Sequence, residues 1–202
     1  MGDLAYEYKN QIYVNLTNKC SADCIFCVRK KKHSIGASAS LVLGKDPTVE
    51  EFKRAISSYD FSNYDGLIFC GYGEPTCEVE KLFAIAKWFK EQYNLPVRVN
   101  TNGLGNVYNQ RDILPELASV VDAYSISLNA PNAKRYEELV RPNCPDAFEQ
   151  VLGFAREAIR QKKEVVLSVL SLLSPEEIEQ SRQIAKELGV MLKVRVTVQT
   201  QA

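Results

Sequence analysis

Six short apolar segments rich in Ile, Val, Tyr and Phe recur along the chain, and they constrain its fold more than any other feature. They lie at Ile12 to Leu16, Leu67 to Cys70, Val97 to Thr101, Ala123 to Leu128, Val165 to Leu170 and Lys193 to Val198. Each has the length and composition of a buried strand. The stretches between several of them carry helical stripes, such as Phe52, Ala55, Ile56 and Tyr59, or Leu82, Phe83, Ala86 and Phe89. Further stripes run through Phe148, Val151, Leu152, Ala155 and Ile159, and through Ile178, Ala185 and Leu188. Thr48-Val49-Glu50-Glu51 and Ser174-Pro175-Glu176-Glu177 spell helix-starting capping boxes, and Gly189 marks the end of the last helix. Strands alternating with helices predict an α/β fold with a parallel sheet and right-handed crossovers. Periodicity alone leaves two forms open, a doubly wound sheet or part of a (β/α) barrel.

At 202 residues, with no linker or internal repeat, the chain is expected to form a single domain over 1–202. Lysine plus arginine equals aspartate plus glutamate at 25 each, so no global field gathers nucleic acid, and any polyanion site is a local patch. The longest apolar stretch, Val165 to Leu173, is far short of the ~20 residues of a membrane span. The amino end has neither an apolar signal region nor a myristoylation motif, so the expected location is the cytoplasm, with no membrane partner.

Three of the six cysteines crowd into eight residues, Cys20-Ser21-Ala22-Asp23-Cys24-Ile25-Phe26-Cys27, directly after the first expected strand. Parallel α/β folds place functional loops at that end of a strand. In a reducing compartment such crowding points to metal rather than disulfides. Three thiolates on a [4Fe–4S] cluster leave one iron open to a substrate or co-substrate. Two alternatives stay open: structural zinc with a fourth ligand from Cys70, Cys77, Cys144 or His33, and a closed electron-transfer cluster.

The C-x3-C-x2-C triad with an aromatic residue before its last cysteine resembles the signature of the radical S-adenosylmethionine (SAM) enzymes. Gly71-Tyr72-Gly73-Glu74-Pro75-Thr76 resembles that family's GGEP motif, with Tyr72 in place of a glycine. Asn100-Thr101-Asn102-Gly103 and Ser127-Leu128-Asn129 are similar to positions that hold SAM in the family. The resemblance covers essentially the whole chain and implies a partial (β/α)6 TIM-like barrel. It implies cluster ligation by Cys20, Cys24 and Cys27, and SAM binding by Phe26, Tyr72, Gly73, Glu74, Asn100, Asn102, Ser127 and Asn129. Glu74 would meet either a cationic amine or polar loop amides. Within the superfamily, the Asn15-to-Cys20 segment, the GYGEPT segment, Ser127 to Pro131 and Tyr136 through Arg141-Pro142 look most like the small TatD-associated radical SAM proteins.

The resemblance also implies reductive cleavage of SAM to a 5′-deoxyadenosyl radical that abstracts hydrogen from a substrate. A chain ending soon after its sixth strand is expected to act on a protein or peptide, while the TatD link makes a nucleotide-derived substrate and a TatD-like hydrolase partner candidates. Arg29 to Lys32 is either a solvated surface or a patch for an acidic donor, a reduced flavodoxin or ferredoxin, or for a phosphate-bearing substrate. Arg141 and Arg195 are candidates for holding a substrate anion, Arg195 only if it points into the barrel. Lys30 to Lys45 is expected to be a mobile loop. The rival from another class is a non-catalytic zinc or closed-cluster adaptor module.

Overall fold

The computed structural model of the protein describes residues 2–30, 34 and 37–196. Its centre is a seven-stranded sheet in which each strand lies beside the next in chain order. The strands are β1 (Ala5–Tyr8), β2 (Gln11–Val14), β3 (Leu67–Phe69), β4 (Val97–Thr101), β5 (Ala123–Ser127), β6 (Glu164–Leu170) and β7 (Met191–Arg195). The pair β1 and β2 is antiparallel, and every later pair is parallel. Placing each new strand on the same side of the last is the singly wound arrangement of a barrel, whereas a doubly wound sheet reverses direction midway. Here β1 and β7 remain as edges, so the sheet is a partial TIM-like barrel and not a closed one.

Among the described residues seven α-helices connect the strands: α1 (Val49–Ile56), α2 (Val79–Tyr93), α3 (Gly105–Tyr108), α4 (Leu114–Leu117), α5 (Ala133–Val140), α6 (Ala147–Arg160) and α7 (Pro175–Glu187). Both capping boxes form as the sequence predicts, Thr48 with Glu51 and Ser174 with Glu177. Gly189 takes the left-handed conformation that ends α7, with φ of 70°. One large core lies between the helices and one face of the sheet. Val97, Val99, Tyr124, Ile126, Leu167 and Val169 meet Phe52, Leu82, Phe89, Val151 and Phe154 there. Strand alternation turns the intervening residues to the other, inner face. On that face Tyr6, Tyr13, Leu41 and Ile68 form a second, smaller apolar cluster.

Four elements escape the sequence reading, the short α3 and α4 along with β1 and α5. The strand β1 was not expected, because its turn is Lys9-Asn10 and lacks glycine. Both residues nevertheless take positive φ, 51° and 57°, as a two-residue hairpin turn requires. The helix α5 spans only eight residues and lacks a long apolar stripe; Asn132 caps it by accepting from the Arg135 amide at 3.0 Å. The last strand begins two residues earlier than expected, and its expected end at Val198 lies outside the described residues.

Part of the expected 30–45 loop is tied down. Leu41 and Leu43 are buried. The Leu41 carbonyl accepts from Asn15 Nδ2 at 2.8 Å, and that of Leu43 accepts from Asn18 Nδ2 at 2.7 Å. Lys31, Lys32 and His33 lie outside the described residues. Among the described residues, no helix is long and apolar enough to cross a membrane.

Candidate cofactor site at the carboxyl ends of the strands

The cysteine loop leaves the carboxyl end of β2 and is held from two sides. On one side it is sewn to the end of α5. The Asp23 amide donates to the Arg141 carbonyl at 3.1 Å, the Ile25 amide to the Leu139 carbonyl at 2.9 Å, and Ala22 bridges to Pro142. On the other side the Gly71-to-Pro75 loop runs against its root. The Gly73 and Glu74 amides donate to the Thr17 and Lys19 carbonyls, both at 2.8 Å. A Cβ on Gly73 would stand 2.4 Å from each of those two carbonyl oxygens, so only glycine allows this approach. Tyr72, at the position where the family has glycine, does not take positive φ. Its amide donates to Asn15 Oδ1 at 2.8 Å.

Within this frame the three thiols are half-buried. Burial, followed by the neighbouring thiols of Cys20 and Cys27, pushes the Cys24 pKa up to about 12. Burial likewise raises that of Cys20. Such thiols hold their protons at neutral pH unless a positive centre arrives to stabilise the thiolates. Tyr136 is buried, and its Oη has no hydrogen-bond partner among the described residues. Cys24 and Cys20 are among the groups acting on that hydroxyl.

Arg29 completes the loop. Its Nε donates to Cys27 Sγ, and its two terminal nitrogens donate to the Asn18 and Ala22 carbonyls, all at 3.3 Å. Three soft donors, a guanidinium donating to one sulfur and an unpartnered hydroxyl near the others fit an iron–sulfur cluster, whose thiolate and sulfide sulfurs carry negative charge and accept hydrogen bonds. Among the described residues no three His, Cys, Asp or Glu side chains gather as ligands of a single metal ion. A cubane does not ask for that, because its cysteines sit on separate irons.

The fourth-ligand candidates scatter. Cys70 follows β3 on the inner face, where burial raises its pKa and Asn100 bonds to it. Cys77 is buried in the 3-10 turn Pro75–Glu78. Cys144 lines a cavity of about 190 Å³ with Ser21, Leu104 and Tyr108. His33 lies outside the described residues.

The residues expected to hold SAM divide into two groups. Glu74 and Asn102 are already engaged. Glu74 is buried, and its Oε1 accepts from the Thr76 amide (3.1 Å), Thr76 Oγ1 (2.7 Å) and Thr101 Oγ1 (2.7 Å), while Oε2 accepts from the Asn102 amide (2.8 Å). Burial raises its pKa and these donors pull the other way. Of its two expected roles, the structure therefore favours the loop amides over a cationic amine. Asn102 Nδ2 donates to Ser21 Oγ at 2.9 Å and its Oδ1 accepts from the Leu104 amide at 3.0 Å, so its side chain ties β4 to the cysteine loop. Phe26 packs its half-buried side chain against the main core.

Asn100, Ser127 and Asn129 share the inner face. Asn100 Oδ1 is buried without a partner among the described residues. Ser127 Oγ and Asn129 Oδ1 each lie 3.4 Å from a terminal nitrogen of Arg195. Arg195 thus points inward. Arg141 does not join them: it is exposed, sits in the left-handed conformation ending α5, and serves the cysteine loop through its carbonyl. Lys30 pairs with Asp23 at 2.8 Å. Sequence reasoning missed Arg98 and Asn15. Asn15, wholly buried, links the Asp3 and Leu41 carbonyls to Tyr72.

Solved structures share this architecture. Streptococcus suis SuiB bound to S-adenosylmethionine superposes with a TM-score of 0.66 at 14% identity, over 94% of this chain and 39% of that one. The protein anSMEcpe with bound AdoMet gives 0.62 at 19% identity, over 92% and 50%. Methylornithine synthase (PylB) gives 0.62 at 14%, over 92% and 52%. The chain therefore spans about two-fifths to one-half of these proteins. At such identities the likeness is one of fold. No curated protein sequence matches significantly. The model of the family described as the radical SAM superfamily matches residues 14–188, which takes in the cysteine loop, the strands β3 to β6 and the helices through α7. The chain belongs to the radical SAM superfamily.

Proposed function

We propose that the protein is a radical SAM enzyme in which Cys20, Cys24 and Cys27 hold an oxygen-sensitive [4Fe–4S] cluster with one iron open to SAM. The observation that carries this reading is the half-buried thiol loop, braced by Arg29 and by the Gly71-to-Pro75 loop, at the carboxyl ends of the strands. When bound, such a cluster supplies the electron that cleaves SAM to methionine and a 5′-deoxyadenosyl radical able to abstract hydrogen.

The chain's own residues bind and orient. Asn100 Oδ1 offers an unused acceptor on the inner face, and Ser127 and Asn129 offer polar atoms beside it for ribose or carboxylate. The carbonyls of Tyr72 and Gly73, whose amides are engaged by Asn15 and Thr17, flank the methionyl end, and Phe26 the adenine. Glu74 and Asn102 act as braces for the loops carrying these groups. Arg195, charged and inward, faces the substrate side.

Resemblance to the TatD-associated group supports work beside a TatD-like hydrolase in the cytoplasm, with reduced flavodoxin or ferredoxin as electron donor. A sheet left unclosed, with β1 and β7 as its edges, supports a protein, peptide or nucleotide-derived substrate.

The test is anaerobic reconstitution with iron and sulfide, then electron paramagnetic resonance of the reduced protein with and without SAM, with an assay for 5′-deoxyadenosine. A cubane signal that SAM perturbs, with deoxyadenosine formed, is expected. A zinc-filled protein, or a cluster blind to SAM, overturns the reading in favour of the adaptor. A Cys24→Ala variant separates the two further. The enzyme reading expects loss of the cluster with the circular dichroism of the barrel retained, and a structural metal expects loss of both.

A further inference from the structure

The inner face changes character halfway across the sheet. On the β1-to-β3 side it is sealed by Tyr6, Tyr13, Leu41 and Ile68. On the β4-to-β7 side the inward positions include Arg98, Asn100, Ser125, Ser127, Ser168, Lys193 and Arg195 alongside the apolar Ala123, Val166 and Leu170, as the register and the burial alternation require. Barrel interiors that serve only as core are filled with branched apolar side chains. Polar groups gathered there need partners, or their desolvation goes uncompensated.

Two of these groups are permanently charged. Arg98 lies in the row of Ile68 and Ala123 and hydrogen-bonds to the Tyr13 hydroxyl, while the Nε of both Arg98 and Arg195 is buried without a partner among the described residues. None of the ion pairs among the described residues includes either arginine. Arg195 meets only the neutral oxygens of Ser127 and Asn129, at a long 3.4 Å. Both guanidinium groups act on the Cys70 thiol, against the upward push of its burial, so one region of the face feels both charges. The acidic residue in the same strand row as Arg98 is Glu164, at the start of β6 beyond Ala123, and it is exposed. A guanidinium cannot lose its proton to escape burial, so its remedy is an anion, and its planar fork suits an oxyanion.

We propose that the substrate carries an oxyanion, carboxylate or phosphate, bound on the inner face by Arg98, with Arg195 supplying a second positive charge on the side of Ser127 and Asn129. This deepens the reading above and rests on it for the word substrate. Arg98 is the cleaner probe, because the groups it acts on are Tyr13 and Cys70, whereas Arg195 hydrogen-bonds to two of the residues assigned to SAM.

Cluster-loaded protein, kept without reductant so that SAM stays intact, is titrated calorimetrically at constant ionic strength with inorganic phosphate and, separately, with propionate. Saturable binding of at least one probe is expected, weakened about tenfold or more in Arg98→Gln and less in Arg98→Lys, with exposed Arg182→Gln unchanged. The preferred probe assigns phosphate or carboxylate. Absence of saturable binding to wild-type protein, or unchanged binding in Arg98→Gln, overturns the proposal. So does complete loss of probe binding under saturating SAM, since the arginines would then serve the cofactor's own carboxylate. If Arg98→Gln fails to fold, as judged by circular dichroism, Arg98→Lys decides, with binding equal to wild type counting against the site. Perturbation of the cluster signal by SAM is recorded on the same preparation. A cluster blind to SAM overturns the radical reading alone, while the titration still reads the arginines.

Discussion

Arg29 Nε donates a hydrogen bond to Cys27 Sγ at 3.3 Å, which makes the first residue of the basic run a part of the cysteine loop. The same guanidinium lies 6.0 Å from the centre of the Tyr72 ring, and Tyr72 Oη donates to the Arg29 carbonyl at 3.3 Å. One side chain thus connects the cysteine loop to the Gly71-to-Pro75 loop.

A donor and a positive charge at a ligating sulfur favour the reduced, more negative cluster. Removing them in Arg29→Gln is expected to lower the cluster's midpoint potential by roughly 60 mV. That figure corresponds to about 1.5 kcal/mol for a hydrogen bond to a charged group in a one-electron couple. Spectroelectrochemical titration of the loaded protein measures it. An unchanged potential would mean that Arg29 only braces the loop.

The buried, unpartnered hydroxyl of Tyr136 yields a contrast between loaded and metal-free protein. Tyr136→Phe should leave the metal-free protein as stable as wild type or slightly more so, because the lost group makes no bond among the described residues. In the loaded protein the same change should destabilise by about 1 kcal/mol if the hydroxyl serves the cluster. Paired thermal melts, with and without cluster, read the difference.

Gly73→Ala would drive a methyl group into the Thr17 and Lys19 carbonyls, which are backbone and cannot turn aside. Forced separation of the two loops should cost about 1–3 kcal/mol, within the usual range for overpacking. Denaturant unfolding measures this, and cluster incorporation should fall with it. Tolerance of Ala at 73 would show that the loops do not need this closeness.

Glu74→Gln keeps the shape of a buried side chain that accepts four hydrogen bonds but replaces one acceptor oxygen with a donor. At least one buried donor must then go unpaired, at a cost of about 1–3 kcal/mol. The metal-free protein is the right sample, because the effect is expected without SAM. Unchanged stability there would return Glu74 to a direct role in binding.

The Thr48 capping box provides a pH signature. Bonds from Lys45 and Thr48 hold the Glu51 pKa at about 2, below its ordinary 4.5. A carboxyl lowered on folding contributes stability above the unfolded pKa and loses it as pH falls through the folded one. The melting-temperature gap between wild type and Glu51→Gln should therefore be full above pH 5 and close between about pH 4.5 and 2. A gap independent of pH would show that the ionised carboxylate is not what caps α1.

The sequence by itself determined the parallel α/β class, both capping boxes and the thiol loop. Each depends on residues near one another in the chain, where spacing stands in for distance. Six of the seven strands could be read because their apolar runs must be buried whatever surrounds them; β1 could not, since its Lys9-Asn10 turn takes a conformation that the residue types do not announce. Only tertiary structure decided between a doubly wound sheet and a partial barrel, because strand order depends on which edge each crossover joins. It also decided which polar residues are available. Glu74 and Asn102 read as ligand groups in the sequence, yet in the fold they are saturated by Thr76, Thr101, Ser21 and Leu104. Arg98 drew no reading in the sequence, and only the alternation of β4 turns it to the inner face, half-buried, with its Nε unpartnered among the described residues. A motif names a donor; whether that donor is free depends on neighbours tens of residues away.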